Sequence, residues 1–328
     1  MSPLEKAVLI LDQGGVVGMP TETVYGLAAR IDREDGLQAI FLTKKRPFFD
    51  PLIVHVSSIE QAQNLTTAWG PTAQALAETF WPGPLTLVLP KSSKVSALIT
   101  SGLTTVGLRF PNHPIARALI EQAGAPLAAP SANLFGRTSP TKAVHVESEF
   151  AGQVFVLEGG DSEVGIESTI VAILKEGELR LLRPGVITTD VINESLKQKK
   201  IKITWSEVTE QVTAPGQLKH HYMPAKPLIL IKEKMSEEAF CKTVQARLQE
   251  LPAEVEGVKL SRPSSVTSVR WLSLSAEPLL AARQLYQVLR DSAQTQDDVL
   301  ALVWPNERRT GVWTAVWDRL GKAASLDL

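Results

Sequence analysis

"STIVAILKEGELRLLRPG", residues 168–185, decides how the sheet of this chain is put together. Two runs rich in isoleucine, valine and leucine, 168–174 and 178–185, are separated only by Lys175-Glu176-Gly177. So short a connection joins antiparallel neighbours, with the glycine supplying backbone freedom for the turn. A parallel pair would instead need a crossover of about a dozen residues or more. Working outward, further strand-like runs lie at 16–20, 51–57, 85–90, 104–111, 125–131 and 154–160. Helical patterns fall at 33–43, 71–80, 113–123 and 140–148. The first two hundred residues therefore read as a mixed α/β unit with parallel and antiparallel pairing, not a clean βαβ series.

Toward the C-terminus the character changes near residue 190. "INESLKQKKIKITWSEVTEQ" is polar and charged, and "TAPGQLKHHYMPAKP" is rich in turn residues and histidine, so 204–226 is expected to be a linker. Beyond it the rhythm is regular. "PLILIK" precedes a helix at 236–251, "SVRWLSL" one at 277–294, and "VLALVWP" one at 308–324. Three strands alternating with helices imply a small open parallel sheet. The expected division is 1–203, a linker at 204–226, and a second α/β domain at 227–328. At the other end, "SPLEKAVLILDQGG" reads as a helix with Ser2 as N-cap, Glu5 closing a capping box and Gly14-Gly15 ending it.

The 328 residues are 44% hydrophobic and 21% charged, ordinary globular values that suit two domains. With 34 Lys+Arg against 35 Asp+Glu, the formal charge of -1 is the wrong balance for bulk attraction to nucleic acid. One cysteine, Cys241, excludes an intramolecular disulfide and any cysteine-based zinc cluster. No apolar run reaches membrane-span length, and the acidic N-terminal stretch does not resemble a signal peptide, so a cytoplasmic location is expected with no membrane partner.

The common phosphate-loop and dinucleotide fingerprints are missing, as are H-E-x-x-H and any acidic triplet, so no metal site is expected from protein groups. Instead, cationic and hydroxyl groups gather at strand ends. Lys44-Lys45-Arg46 precedes a proline turn, Arg109 ends "TTVGLRFP", and Arg183 ends the hairpin. Ser131, Asn133, Arg137, Thr138 and Ser139 crowd the loop after 125–131. Ligands usually bind at strand ends on α/β sheets, and these groups suit phosphate oxygens. "MPTETVYGLAA", 19–29, carries a polar cluster that suits a small ligand with an amine and a carboxylate. The same residues also read as a helix start capped by Thr21 or Thr23. His55, among branched apolar residues, reads as a core histidine or as a ligand contact.

Taken together and in order, "PTETVYGLAA", "KKRP", "DPLIVHV", "LRFPNHP", "APSANLFGRTSPT", "GIESTIV" and "LRPG" resemble YrdC-like domains. "APGQLKHHYMPAKP" and the C-terminal α/β module extend this to the two-domain L-threonylcarbamoyladenylate synthase family. The resemblance implies a twisted mixed sheet with a concave, positively charged cavity, followed by a linker over the active site and a Rossmann-like domain. The implied activity is nucleotidyl transfer: L-threonine, bicarbonate or CO₂, and ATP give threonylcarbamoyl-AMP and pyrophosphate. The product would pass to the machinery that modifies the tRNA adenosine beside the anticodon, with direct tRNA contact weak.

Residue by residue, the resemblance implies L-threonine contacts at Thr23, His55, Arg109, Ala129 and Ser168. Lys44 and Arg46 match the basic, catalytic motif that faces the phosphates. Thr105, Ser131, Asn133, Ser139, Arg183 and the linker's Tyr222 match nucleotide contacts. Asp50 stands where the family usually has Asn, and a carboxylate there repels phosphates unless it pairs with Arg46 or holds Mg²⁺. Mg²⁺ is expected to arrive with the triphosphate. Two alternatives compete: an RNA-binding module, which the near-neutral charge disfavours, and the related carbamoyl-adenylate domain of hydrogenase maturation proteins, whose cysteine-rich zinc motifs this chain lacks.

Overall fold

The computed structural model describes residues 1–207, 214–216, 220–252, 254–255, 258–304 and 310–328. The chain divides into two compact units, Met1–Leu134 with Pro140–Gln217, and Phe135–Ser139 with Leu218–Leu328. In chain order the first unit opens with α1 (Pro3–Asp12), β1 (Val17–Met19), β2 (Gly26–Arg30), α2 (Glu34–Lys44) and β3 (Ile53–His55). There follow α3 (Ile59–Gln63), α4 (Pro71–Phe80), β4 (Leu85–Pro90), α5 (Ala97–Thr100), β5 (Thr105–Arg109) and α6 (Pro114–Gln122). It closes with β6 (Leu127–Ala128), α7 (Ala143–Glu149), β7 (Phe155–Val156), β8 (Thr169–Lys175), β9 (Glu178–Arg183), α8 (Thr189–Gln198) and β10 (Thr204–Trp205).

The strands form one mixed sheet in the order β10-β9-β8-β4-β5-β3-β6-β2-β1-β7. The hairpin read from sequence is β8–β9, antiparallel and closed at Lys175↔Glu178 with Gly177 at φ +75°. β4 and β8 are parallel, whereas β4 and β5 are antiparallel. The capping box of α1 is present: Ser2 N–H donates to Glu5 Oε2 at 2.7 Å, and Glu5 N–H donates to Ser2 Oγ at 3.2 Å.

Alternation along the strands sends neighbouring side chains to opposite faces. Val54, Leu87, Leu108 and Val171 share one face and join a core with Leu37 and Phe41 of α2, Leu76 of α4 and Ile192 of α8. On the other face, α1 and α6 bury Ala7, Leu11, Leu119 and Ile120 against Met19, Ala28, Leu127 and Ala129. That cover extends over β1, β2, β6 and β7. Over β3, β5, β4 and β8 the same face carries Ile53, Val88, Ile170 and Ala172, which cluster with Ala214 and no helix among the described residues.

In the first unit α3 and α5 add short helices that the sequence reading does not contain, and three further elements differ from it. "GLAAR" is β2, antiparallel to β1, so the polar residues before it form a hairpin turn and not a capped helix start. Glycine and alanine are weak strand formers, and this strand exists because it is buried between β1 and β6. The polar stretch after residue 188 contains α8, capped by Thr188 Oγ1 accepting from Val191 N–H, with Ile192 and Leu196 buried. The expected linker begins with a strand, β10, parallel to β9. Its residues 208–213 and 217–219 lie outside the described residues.

The second unit holds β11 (Leu228–Ile231), α9 (Glu237–Glu250), β12 (Glu254–Val255), β13 (Val258–Lys259), β14 (Val269–Trp271), α10 (Pro278–Ala293), β15 (Val299–Val303), α11 (Val312–Ala323) and β16 (Leu326–Asp327). Its main sheet, β14-β15-β11-β16, pairs in parallel throughout. The chain crosses the sheet one way from β11 to β14, then returns from β14 to β15 and on to β16. Right-handed crossovers therefore place α9 on one face and α10 with α11 on the other. Ile229, Ile231, Val299 and Ala301 accordingly meet Phe240 and Val244 of α9. The alternating Leu228, Leu230, Leu300 and Leu302 are also buried. β16 adds a fourth strand to the three expected, too short and too close to the chain end to show a periodicity.

Phe135–Ser139 belongs to this unit through its backbone. Thr138 N–H donates to Met223 O at 3.1 Å, Met223 N–H to Gly136 O at 2.8 Å, and Thr138 Oγ1 to Tyr222 O at 2.9 Å. Arg290 of α10 donates to the carbonyls of Thr138 and Ser139.

Candidate active site

The sheet face opposite the main core is where the chemistry-bearing side chains collect. β3 and β5 run parallel with His55 opposite Arg109 and Ile53 opposite Gly107, so alternation sends both polar groups to the face away from the main core. Val56 N–H donates to Arg109 O at 2.9 Å and carries the pairing past them. Ala129 lies on the same face and is held by its N–H on Ile53 O at 3.0 Å. From β4, Thr86 Oγ1 and Ser168 Oγ lie 2.7 Å apart. Arg183 donates from Nε to Ser168 O at 3.1 Å and from Nη2 to Ser168 Oγ at 3.2 Å. Gly185, just beyond, has no room for a side chain, because a Cβ would stand 2.5 Å from Thr169 N.

A shallow hollow opens on this face, lined by Ile53, Thr86, Thr100, Thr105, Gly107 and Pro215 among others. Thr105 thus stands at its wall, and Arg183 Nη1 donates to Pro215 O at 3.3 Å at its edge.

Above Arg109 stands the β1–β2 turn. Thr21 Oγ1 accepts from the N–H of Thr23 and of Val24, both at 3.2 Å, and lies 2.9 Å from Thr23 Oγ1. Thr23 is fully buried. Glu22 reaches down to Arg109, with Oε1 at 2.8 Å from Nη2 and both side chains 5% exposed. Tyr25 closes the turn, its hydroxyl donating to Gly160 O at 2.9 Å and its acidity weakened to a pKa of about 12 by burial.

The cations of the "KKRP" stretch are buried too. Lys44 donates from Nζ to the carbonyls of Ser131 and Asn133, so it ties down the start of the loop after β6. Burial first, then the neighbouring Arg46 charge, push its pKa well below the ordinary lysine value. Arg46 donates to Asp50 O at 3.1 Å and Pro51 O at 2.9 Å and pairs with Asp50 Oδ2 at 2.7 Å. Burial raises the Asp50 pKa, against the pull of Arg46, Lys44 and Arg183. Burial, reinforced by Arg109, lowers the His55 pKa to about 3, so its imidazole is neutral at physiological pH.

Of the residues singled out from sequence, Thr23, Lys44, Arg46, Asp50, His55, Thr105, Arg109, Ala129, Ser131, Asn133, Ser168 and Arg183 lie in the first unit. Ser139 and Tyr222 belong to the second, where Tyr222 is buried at φ +65° with the Arg319 guanidinium 5.6 Å from its ring centre. Elsewhere, His113 Nε2 contacts Gly159 O at 3.2 Å and His145 Nδ1 accepts from Thr141 N–H at 3.2 Å. Cys241 is buried in the second core. Glu22, Thr86 and Thr100 were not singled out as site residues. The signal for Thr86 was available: one hydroxyl alternating with leucines in "LTLVLP".

The comparisons agree with this architecture. Residues 9–185 match the Sua5_yciO_yrdC family model, described as telomere recombination, and residues 187–325 match the C-terminal domain of threonylcarbamoyl-AMP synthase. A threonylcarbamoyl-AMP synthase of Pyrococcus abyssi is 38% identical over 320 residues, covering 95% of this chain and 91% of the relative. One from Bacillus subtilis is 36% identical over 334 residues, covering 98% and 92%. The solved structure of P. abyssi Sua5 complexed with L-threonine aligns over 99% of this chain and 96% of that one, at 34% identity and a TM-score of 0.80.

Proposed function

The chain belongs to the threonylcarbamoyl-AMP synthase family, and from that membership we propose which of its residues hold each substrate. It is an ATP-using nucleotidyltransferase that makes threonylcarbamoyl-AMP for tRNA modification. The observation that carries the residue assignments is the in-register pair His55–Arg109, on the same sheet face as Thr86, Ser168 and Arg183.

L-Threonine lies against β3 and β5. Arg109 takes its carboxylate, neutral His55 and Thr23 serve its hydroxyl, and Ala129 and Ser168 complete the wall. ATP lies toward Thr105, Ser131, Asn133 and Arg183, with Arg46 at the phosphates. Lys44 acts by holding the carbonyls of Ser131 and Asn133, which fixes the loop. Asp50 neutralises Arg46 until phosphate charge arrives.

The threonine ammonium gives up a proton to solvent, its free amine adds to CO₂ (with water released where the source is bicarbonate), and loss of a second proton to solvent leaves the carbamate. A carbamate oxygen then forms a bond to the α-phosphorus, the bond to the bridging oxygen breaks, and pyrophosphate leaves. Such a displacement asks the protein chiefly for positioning and charge neutralisation. No group of three or more His, Cys, Asp and Glu suited to a metal occurs among the described residues, and Asp50 is committed to Arg46. These residues do not fit a protein-held Mg²⁺, which is assigned to the triphosphate as part of the substrate.

Pyrophosphate release tests the reading. It is expected to require both L-threonine and bicarbonate, and Arg109→Ala is expected to raise the KM for threonine by about 10-fold or more through loss of a charge-assisted pair. ATP turnover indifferent to threonine would overturn the assignment.

A further inference from the structure

Glu22 is a buried carboxylate whose direction is fixed with unusual care. Its own carbonyl accepts from Val164 N–H at 2.8 Å, and the carbonyl of Thr21 accepts from Ser162 Oγ at 3.1 Å. Thr21 Oγ1 accepts from the backbone N–H groups of Thr23 and Val24, so the turn is pinned on both sides of Glu22. Yet neither Glu22 oxygen makes an aligned hydrogen bond among the described residues, and nor do Nε and Nη2 of Arg109, although the charges approach to 2.8 Å.

A buried pair kept only for stability saturates its donors and acceptors, because each unmade bond is costly away from water. A buried pair left unsaturated on both partners suits a ligand that carries both charges itself. A free amino acid is such a ligand, with carboxylate and ammonium on one carbon. The groups assigned above to threonine supply one cation, Arg109, with hydroxyls and a neutral imidazole, but no anion. Glu22 is the anion that stands against that cation.

We propose that Glu22 receives the α-ammonium of the amino acid, a role that rests on the assignment of Arg109 to its carboxylate. The guanidinium and the carboxylate then read the two ends of the zwitterion together. A hydroxy acid without the amine leaves Glu22 unmatched and binds weakly, which keeps out ligands that could not form a carbamate.

The full chain tests this by calorimetric titration with L-threonine and with 3-hydroxybutanoate, which is threonine without its amine. In Glu22→Gln the threonine affinity is expected to fall about 10- to 100-fold, the range for losing a charged hydrogen bond. Affinity for 3-hydroxybutanoate is expected to hold or rise, since Arg109 has lost its competitor. Equal weakening of both ligands would mean that Glu22 merely orients Arg109, and unchanged threonine affinity would remove its role altogether. Either result overturns the proposal. If circular dichroism shows the Gln variant unfolded, Glu22→Asp, which keeps the charge but shortens the reach, carries the same comparison with the same expected outcome. A wild-type chain that binds no threonine would overturn the site assignment itself, a failure visible before any substitution is made.

Discussion

His55 shows how one buried side chain ties the site to stability. Its folded pKa of about 3 lies below the unfolded value near 6.5, so below that value the unfolded chain binds a proton that the folded chain refuses. The stabilising contribution is therefore complete above about pH 6.5 and is lost as pH falls from there toward 3. Between pH 7.5 and 5 the loss is about 2 kcal/mol. Urea denaturation at both values, comparing wild type with His55→Gln, is expected to show that much less pH dependence in the variant. Equal slopes would mean that the imidazole is solvated. At this scale the sequence was informative where a polar residue interrupted an apolar alternation, as with His55 and Arg109. It placed Glu22 in a polar cluster suited to a small ligand but gave that carboxylate no role of its own, because a carboxylate in a Thr-rich turn also looks like a solvated turn residue. Only the approach of Arg109 from another strand shows why it is buried.

Among the elements, the β8–β9 hairpin was the most legible, because its turn chemistry and both flanking patterns pointed to the same structure. Gly177 carries that turn at φ +75°, and a Cβ there would meet Lys202 O at 2.8 Å. Gly177→Ala is expected to destabilise the chain by about 1–2 kcal/mol, the cost of a left-handed conformation for a residue with a Cβ. A urea midpoint equal to that of wild type would contradict the turn geometry. β2 and α8 escaped for opposite reasons. "GLAAR" lacks strand propensity and is held by partners on both sides, distant in sequence on one of them. The segment of α8 has only Ile192 and Leu196 buried in a run dominated by charge, so its periodicity is carried by few residues.

For the molecule as a whole, the sequence suggested consecutive domains, whereas the backbone ties Phe135–Ser139 to residues beyond 217. Nothing local marks this, since the tie consists of main-chain hydrogen bonds with Tyr222 and Met223 and of carbonyls capped by Arg290. A chain ending at Gln217 lacks every one of those partners. Trypsin is expected to cut it after Arg137 at least 10-fold faster than the full chain, on the principle that cleavage follows local opening. Mass spectrometry of the fragments reads the site, and equal protection in both chains would show that the segment is held by its own unit.

The same tie bears on how the protein is born. Phe135–Ser139 leaves the ribosome well before Met223 and Arg290 have been translated, at a pace of roughly 5–20 residues per second. For several seconds the nascent chain therefore lacks the partners that Gly136 and Thr138 bond in the folded protein. The last third of the chain supplies hydrogen bonds to a segment made well before it.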